Sequence, residues 1–185
     1  MKTLIFASVG LALLSSAPLT LAQELPQMPP PAKEHEWLKQ FVGEWESEFE
    51  AIPQPGQAPV KGKSTDTVRG LGGFWVVSEG KGEMMGMPFL NVLTLGYDPD
   101  KKKYVGTWVD NMSSYLWSYV GTVDPTGKIL TLETEGPCPY RPGKNSKFRE
   151  VTEFKSKDHR VFTSSIQQDD GTWHTAVTVH SRRKK

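Results

Sequence analysis

The side chains able to do chemistry are few and scattered. His174 and His180 lie six residues apart in a segment that alternates like a strand. At about 3.3 Å per residue they stand roughly 20 Å apart, too far to share one metal ion. Either one alone could serve as an axial haem ligand if its face pointed inward, and His174 is the better placed. The neighbouring Trp173, Thr175, Val177 and Val179 read as the core face, which turns both histidines outward. His35-Glu36 has no second histidine four residues on, so it is not a metalloprotease helix. His35 reads as part of a first helical turn.

Met84-Met85-Gly86-Met87-Pro88 gathers three thioethers. Clustered methionine can hold Cu(I) in an exported protein. The plainer reading is a greasy loop over a barrel mouth, since Met fills irregular gaps. Cys138 is the only cysteine, so no internal disulfide is possible. It sits in Gly136-Pro137-Cys138-Pro139 with neither a base nor an orienting group beside it in sequence, and reads as a buried thiol. The acidic turns Asp98-Pro99-Asp100 and Asp169-Asp170 lack the spacing and terminal Glu of a calcium loop. Gly70-Leu71-Gly72-Gly73 opens no helix, so it is a tight bend rather than a phosphate loop. Glu79, Glu83 and Asp110 are carboxylates that nothing singles out. No catalytic constellation and no resident metal or cofactor emerges from these residues.

The elements that must carry them are legible. Glu44-Trp45-Glu46-Ser47-Glu48-Phe49-Glu50-Ala51 alternates glutamate with Trp, Ser, Phe and Ala. A strand sends successive side chains to opposite faces, so the glutamates face water and the others face a core. Ahead of it, Trp37, Leu38, Phe41 and Val42 make an apolar stripe at helical spacing over 33–42, ended by Gly43. Downstream, strands are expected near 61–70, 73–82, 90–97, 103–110, 114–123, 128–136, 147–156, 159–168 and 172–181. The intervening turns are chemically explicit: Asp98-Pro99-Asp100-Lys101, Asp124-Pro125-Thr126-Gly127, Lys157-Asp158 and Asp169-Asp170-Gly171. Tight turns join antiparallel neighbours. About ten such strands would curl, and closure removes their edges. The expected fold is all-β: an antiparallel up-and-down lipocalin-like barrel with a short N-terminal helix, a two-sheet sandwich being the runner-up.

The N-terminus bears on compartment. Met1-Lys2, an apolar run from Leu4 to Leu14, and Thr20-Leu21-Ala22 follow the order of a secretory signal peptide, with cleavage expected after Ala22. The product is then periplasmic or secreted. Residues 23–32, with Pro26, Pro29, Pro30 and Pro31, read as a Pro-rich linker. The barrel domain is expected over 33–182, and 183–185 as a basic tail. The chain has 22 basic and 21 acidic residues, and losing Lys2 with the signal peptide levels them. Such a chain has no strong field to attract nucleic acid or acidic lipid.

Three motifs carry a family resemblance: His35-Glu36-Trp37-Leu38-Lys39-Gln40-Phe41-Val42-Gly43-Glu44-Trp45, Arg69-Gly70-Leu71-Gly72-Gly73-Phe74-Trp75, and Gly86-Met87-Pro88-Phe89 followed by Leu95-Gly96-Tyr97-Asp98. Together they resemble the bacterial family designated domain of unknown function 1579, over roughly residues 33 to 182. The resemblance implies a lipocalin-like barrel and no particular activity. The helix-then-Gly-x-Trp entry at 37–45 is also similar to calycin-type barrels, including nitrobindin-like haem binders.

The leading functional expectation is an exported protein holding an apolar or amphipathic small molecule inside the barrel. Trp45, Phe49, Trp75, Trp108 and Trp117 are the expected lining, and Arg69 the group expected to orient an anionic head. Two alternatives stand: a haem-binding or enzymatic barrel using His174, and a filled barrel acting through its surface in the envelope.

Overall fold

A computed structural model describes residues 29–52 and 54–185. The signal-peptide reading and most of the linker, residues 23–28, lie outside the described residues. The folded unit spans Pro31–Lys185. It begins with helix α1 (Lys33–Leu38) and one 3-10 turn, Lys39–Phe41. Ten strands follow: β1 (Gly43–Ala51), β2 (Val60–Leu71), β3 (Trp75–Met84), β4 (Met87–Asp98), β5 (Lys103–Asp110), β6 (Trp117–Val123), β7 (Ile129–Pro137), β8 (Asn145–Ser156), β9 (His159–Gln167) and β10 (Trp173–Arg183). Each strand pairs antiparallel with its sequence neighbours, and β10 returns to β1 to close the barrel. No helix interrupts 60–181.

The alternation of β1 is realised as expected. Trp45, Ser47, Phe49 and Ala51 are buried, while Glu44, Glu46 and Glu48 are exposed. Register sets Glu48 against Lys63 and Glu50 against Lys61 on the outer face, with ion pairs of 3.3 and 3.0 Å. These pairs are solvent-exposed, so they fix register more than they add stability.

The helix closes one end. Leu38 and Phe41 bury against Trp45, Val68, Val76, Leu95, Tyr104, Leu130 and Phe154. The plug is tied down by hydrogen bonds to the surrounding turns and strands. Trp37 Nε1 donates to the Gly127 carbonyl at 2.8 Å, and Tyr104 Oη donates to the Glu34 carbonyl at 3.3 Å. His35 accepts at Nδ1 from the Ala32 amide, 2.9 Å. Its proton therefore sits on Nε2, 3.1 Å from the Tyr97 carbonyl. His35 is a buried structural tether.

Arg183, expected as the first residue of a free tail, is instead the last residue of β10. Its guanidinium donates to the carbonyls of Val42, Gln40 and Lys157 and lies over the Trp45 ring, 4.3 Å from its centroid. Gly43 sits beneath it at φ +132°, and a Cβ there would meet Arg183 Nη1 at 2.3 Å. Only glycine serves both the backbone and the space.

The Met84–Met87 segment is a tight hairpin rather than a loose loop. Met84 pairs with Met87, and Met85 and Gly86 take φ +53° and +77°. Those signs at both central residues match the hairpin turn that fits strand twist. β4 therefore begins three residues earlier than the alternation suggested.

Trp45 is fully buried, and its Nε1 donates to the Phe41 carbonyl at 2.8 Å. Trp45→Ala is expected to cost about 3–5 kcal/mol. A urea denaturation midpoint that falls with an unchanged slope is the confirming measurement.

Candidate functional site

Beyond the plug, towards the end that carries no helix, the barrel interior is hollow. The cavity has a volume of about 340 Å³. Its wall is aromatic and aliphatic for most of its extent: Phe49, Phe89, Trp108, Trp117, Phe148 and Phe162, with Leu93, Leu132 and Val179 between them. Trp117 meets Phe148 edge-to-face at 4.8 Å and Tyr115 at 4.9 Å. Its ring lies across Gly136, where a Cβ would come within 2.5 Å of Trp117. Phe49 covers Gly62 in the same way. Interior glycines thus let large rings lie flat against the wall.

Polar side chains enter this apolar space at three places. The first is a group next to the plug. Ser47 faces Ser181 across β1 and β10 with their hydroxyls 2.8 Å apart, and Ser181 faces Arg160 on β9. The Arg160 guanidinium lies 3.8 Å from Asp66 Oδ2 and over the rings of Trp45 and Phe41, 4.5 and 5.2 Å from their centroids. Burial pulls Arg160 down to about 10, while Asp66 opposes that shift. Burial likewise raises the Asp66 carboxyl, more than Arg160 and the Ser47 hydroxyl lower it.

The second place is a row across β2, β3 and β4. Asp66 pairs with Gly80 and Gly80 with Asn91. A Cβ on Gly80 would run into the Asn91 amide at 2.5 Å and Asp66 Oδ1 at 2.7 Å. Glycine there makes room for both side chains. Asn91 is buried, and its Oδ1 has no hydrogen-bond partner.

The third place is Glu150 on β8. It is 8% exposed and lies opposite Ser164 of β9 and Leu132 of β7. Ser164 Oγ donates to Oε1 at 3.0 Å, and Oε2 has no partner. Burial drives its pKa up to about 8, with the Ser164 hydrogen bond opposing. At neutral pH the carboxyl is therefore mostly protonated.

Of the expected lining residues, the barrel brings Phe49, Trp108 and Trp117 to the cavity wall. Trp45 points inward but belongs to the packed core around the plug. Trp75 and Arg69 face outward. Trp75 is 40% exposed and covers Gly96 on the outer surface, and Arg69 lies 3.9 Å from Glu79 in solvent. The reason is parity. Val68 and Val76 are the inward members of those strands, so their neighbours Arg69 and Trp75 point out.

The assignment of the two histidines to one face also fails. β10 shifts register between Thr175 and Val177, with Ala176 as the extra residue. Such a bulge inverts the facing of everything before it. His180 stays outside. His174 pairs with the buried Ile166, and its Nε2 lies 2.7 Å from the Ile52 carbonyl, beside the β1–β2 loop. It is not part of the cavity wall. Cys138 is buried, as expected, but Arg141 Nε lies 3.3 Å from its sulfur. Burial pushes the thiol up, and hydrogen bonds from Arg141 and Ser146 outweigh it and leave it below the ordinary range. Among the described residues no three His, Cys, Asp or Glu side chains gather as a metal site.

The inward polar groups Asp66, Glu150 and Arg160 are not among the expected site residues, although strand parity signals them. Glu150 shares parity with Phe148 and Phe154, Arg160 with Phe162 and Ile166, and Asp66 with Val68.

A family model described as "Protein of unknown function (DUF1579)" matches residues 30–183. No curated protein matches the sequence significantly. Among solved structures, the Rv2717c protein of M. tuberculosis superposes with a TM-score of 0.60 at 12% identity, covering 84% of this chain and 99% of that one. The S-type phycobiliprotein lyase CPES of Guillardia theta superposes with a TM-score of 0.56 at 15% identity, covering 81% and 92%. At these identities the likeness is one of fold.

An acid whose folded pKa is raised favours the fold at low pH. Its contribution is complete below the unfolded value, near 4.5, and is lost as pH rises to about 8. Glu150→Gln removes that dependence. The stability of the variant relative to wild type is expected to climb between those pH values, by at most about 1.4 kcal/mol per pH unit. Urea denaturation at pH 5, 6, 7 and 8 measures it, and parallel curves for the two proteins would refute the burial of Glu150.

Proposed function

The chain belongs to the DUF1579 family, which defines its fold and no activity, and from that premise we propose that it binds an apolar or amphipathic small molecule inside the barrel. The observation that carries this reading is the cavity of about 340 Å³. Ligand sites of this kind run from about 300 Å³ upward, with mostly apolar walls and a few placed polar groups. Phe49, Trp108, Trp117, Phe148 and Phe162 form the apolar wall here, and Asn91 and Glu150 are the placed polar groups.

The space argues against a barrel filled by its own side chains. The engagement of His174 with the Ile52 carbonyl, away from the cavity wall, argues against its use as a haem ligand. Arg69 on the outer surface gives no support to an anionic head group.

The N-terminal sequence supports export, so the proposed setting is the bacterial periplasm or exterior. Among the described residues no helix is long and apolar enough to cross a membrane. Intact-mass measurement on protein from a periplasmic fraction is expected to give a chain beginning at Gln23. Full-length protein confined to the cytoplasm would overturn the export reading.

The binding reading is tested with N-phenyl-1-naphthylamine, a neutral probe that fluoresces when it leaves water. Wild type is expected to enhance its emission saturably with one site per chain. Trp117→Ala, which strips part of the wall, should weaken binding about tenfold, equivalent to about 1.4 kcal/mol. Native mass spectrometry of protein from its own periplasm would show any resident molecule. An absence of saturable binding together with an empty native protein would remove the proposal.

A further inference from the structure

The cavity is charged in a way that selects its occupant. Its ionisable lining residues are Asp66, Arg160, Glu150 and Tyr119. Asp66 and Arg160 face one another at 3.8 Å, and the guanidinium is also stacked on Trp45. That pair is internally balanced. Glu150 has no such partner: its side chain lines the cavity, one oxygen takes the Ser164 hydroxyl, and the other is buried without a hydrogen-bond partner. A buried carboxyl with an unsatisfied oxygen costs free energy that a bonding partner recovers.

The surroundings of Glu150 favour a cation over a neutral donor. Phe148 lies two residues along on the same inward face of β8, and Trp117 packs against it at 4.8 Å. Ring faces in a desolvated site attract ammonium groups. Tyr119 on β6 adds a hydroxyl whose pKa is pushed up by burial first, then by the charge of Glu150, so it stays neutral. From β7, Leu132 brings no charge, and from β9 Ser164 brings only its hydroxyl.

Resting on the binding role proposed above, the geometry points to a specific ligand class: an aromatic or otherwise apolar molecule carrying a basic nitrogen. Its ammonium would pair with the Glu150 carboxylate, and its apolar body would lie along Trp108, Trp117 and Phe148. Asn91 Oδ1 offers a second acceptor on β4.

The proton balance is specific. Free Glu150 is held mostly neutral at pH 7 by burial. The ligand enters as an ammonium and keeps its proton. Glu150 gives its own proton to solvent and becomes the carboxylate of the pair. Binding therefore releases protons at pH 7, and affinity rises with pH to about 8. It falls again where the amine itself loses its charge.

Three probes of one shape separate the possibilities: 1-naphthylmethylamine, 1-naphthalenemethanol and 1-naphthoic acid. Each is titrated into the folded wild-type protein by calorimetry, in buffers of different ionisation enthalpy. The amine is expected to bind at least about tenfold more tightly than the alcohol at pH 8, with the acid weakest. Only the amine should release protons at pH 7. Glu150→Gln should abolish the amine's advantage and the proton release while changing alcohol binding less than about threefold. Ser164→Ala, which removes the one hydrogen bond to the carboxyl, should move the rise in amine affinity to higher pH.

The inference falls if wild type binds alcohol as tightly as amine, if the acid binds best, or if Glu150→Gln keeps the preference. In those outcomes the binding role stands, because a probe has still entered the barrel. Failure of all three probes would overturn the role and the ligand class together.

Discussion

A closed sheet of ten strands encloses more space than the inward side chains of those strands can fill, and every functional feature of this molecule follows from what occupies the surplus. Barrel width grows with strand number, and about eight strands already leave an interior only just filled by side chains. Here one end is filled from outside the sheet. Residues 33–41 bring Trp37, Leu38 and Phe41 into the opening, and hydrogen bonds from Trp37, His35 and Tyr104 hold them there. Among the described residues the other end has no equivalent insert. The cavity is the interior left beyond the plug, with Phe41 of the plug forming part of its wall.

This division explains where the two kinds of interior residue sit. Around the plug, packing is tight and residues such as Trp45 and Leu38 have almost no exposure. Behind the cavity wall, glycines lie beneath lining side chains. Gly62 accepts Phe49, Gly136 accepts Trp117, and Gly80 makes room for Asn91 and Asp66. Each interior glycine weakens its strand, because it adds no side chain to pack and loses more conformational freedom on folding. A sheet under selection for stability alone would fill those positions.

The barrel itself was legible because strand alternation is a local property. Each Glu of β1 declares its own facing, and turns such as Asp124-Pro125-Thr126-Gly127 declare theirs. The strands fall within about three residues of where alternation and turns place them. The site was less legible because its polar members depend on which face is inner, and a single misassigned parity reverses that. Aromatic type alone does not mark the interior: Trp75 faces out, and Val76 beside it is the buried residue. Arg69, expected to orient an anionic head, lies in solvent, while Arg160, aligned with Phe162 and Ile166, is the enclosed one. The bulge at Ala176 left no sequence signal at all. Nothing in Thr175-Ala176-Val177 announces an extra residue, yet it separates the facing of His174 from that of His180.

The contrast between the two buried charge sites is the strongest argument for a ligand. Arg160 and Asp66 answer each other, and Ser47, Ser181 and the face of Trp45 add to their surroundings. Such a group is explained by the fold that contains it. Glu150 is not: its one hydrogen bond is to Ser164, and it is held protonated at neutral pH by burial alone. A glutamine or leucine would fit the same position on β8 at lower cost, since burying an ionisable carboxyl with an unbonded oxygen is unfavourable in any fold. Local choices that contradict the global fold are expected where function outweighs stability. Glu150 lines a cavity with a volume suited to a small molecule and walls that are mostly apolar. The residue least explained by folding is therefore the one best placed to touch a ligand.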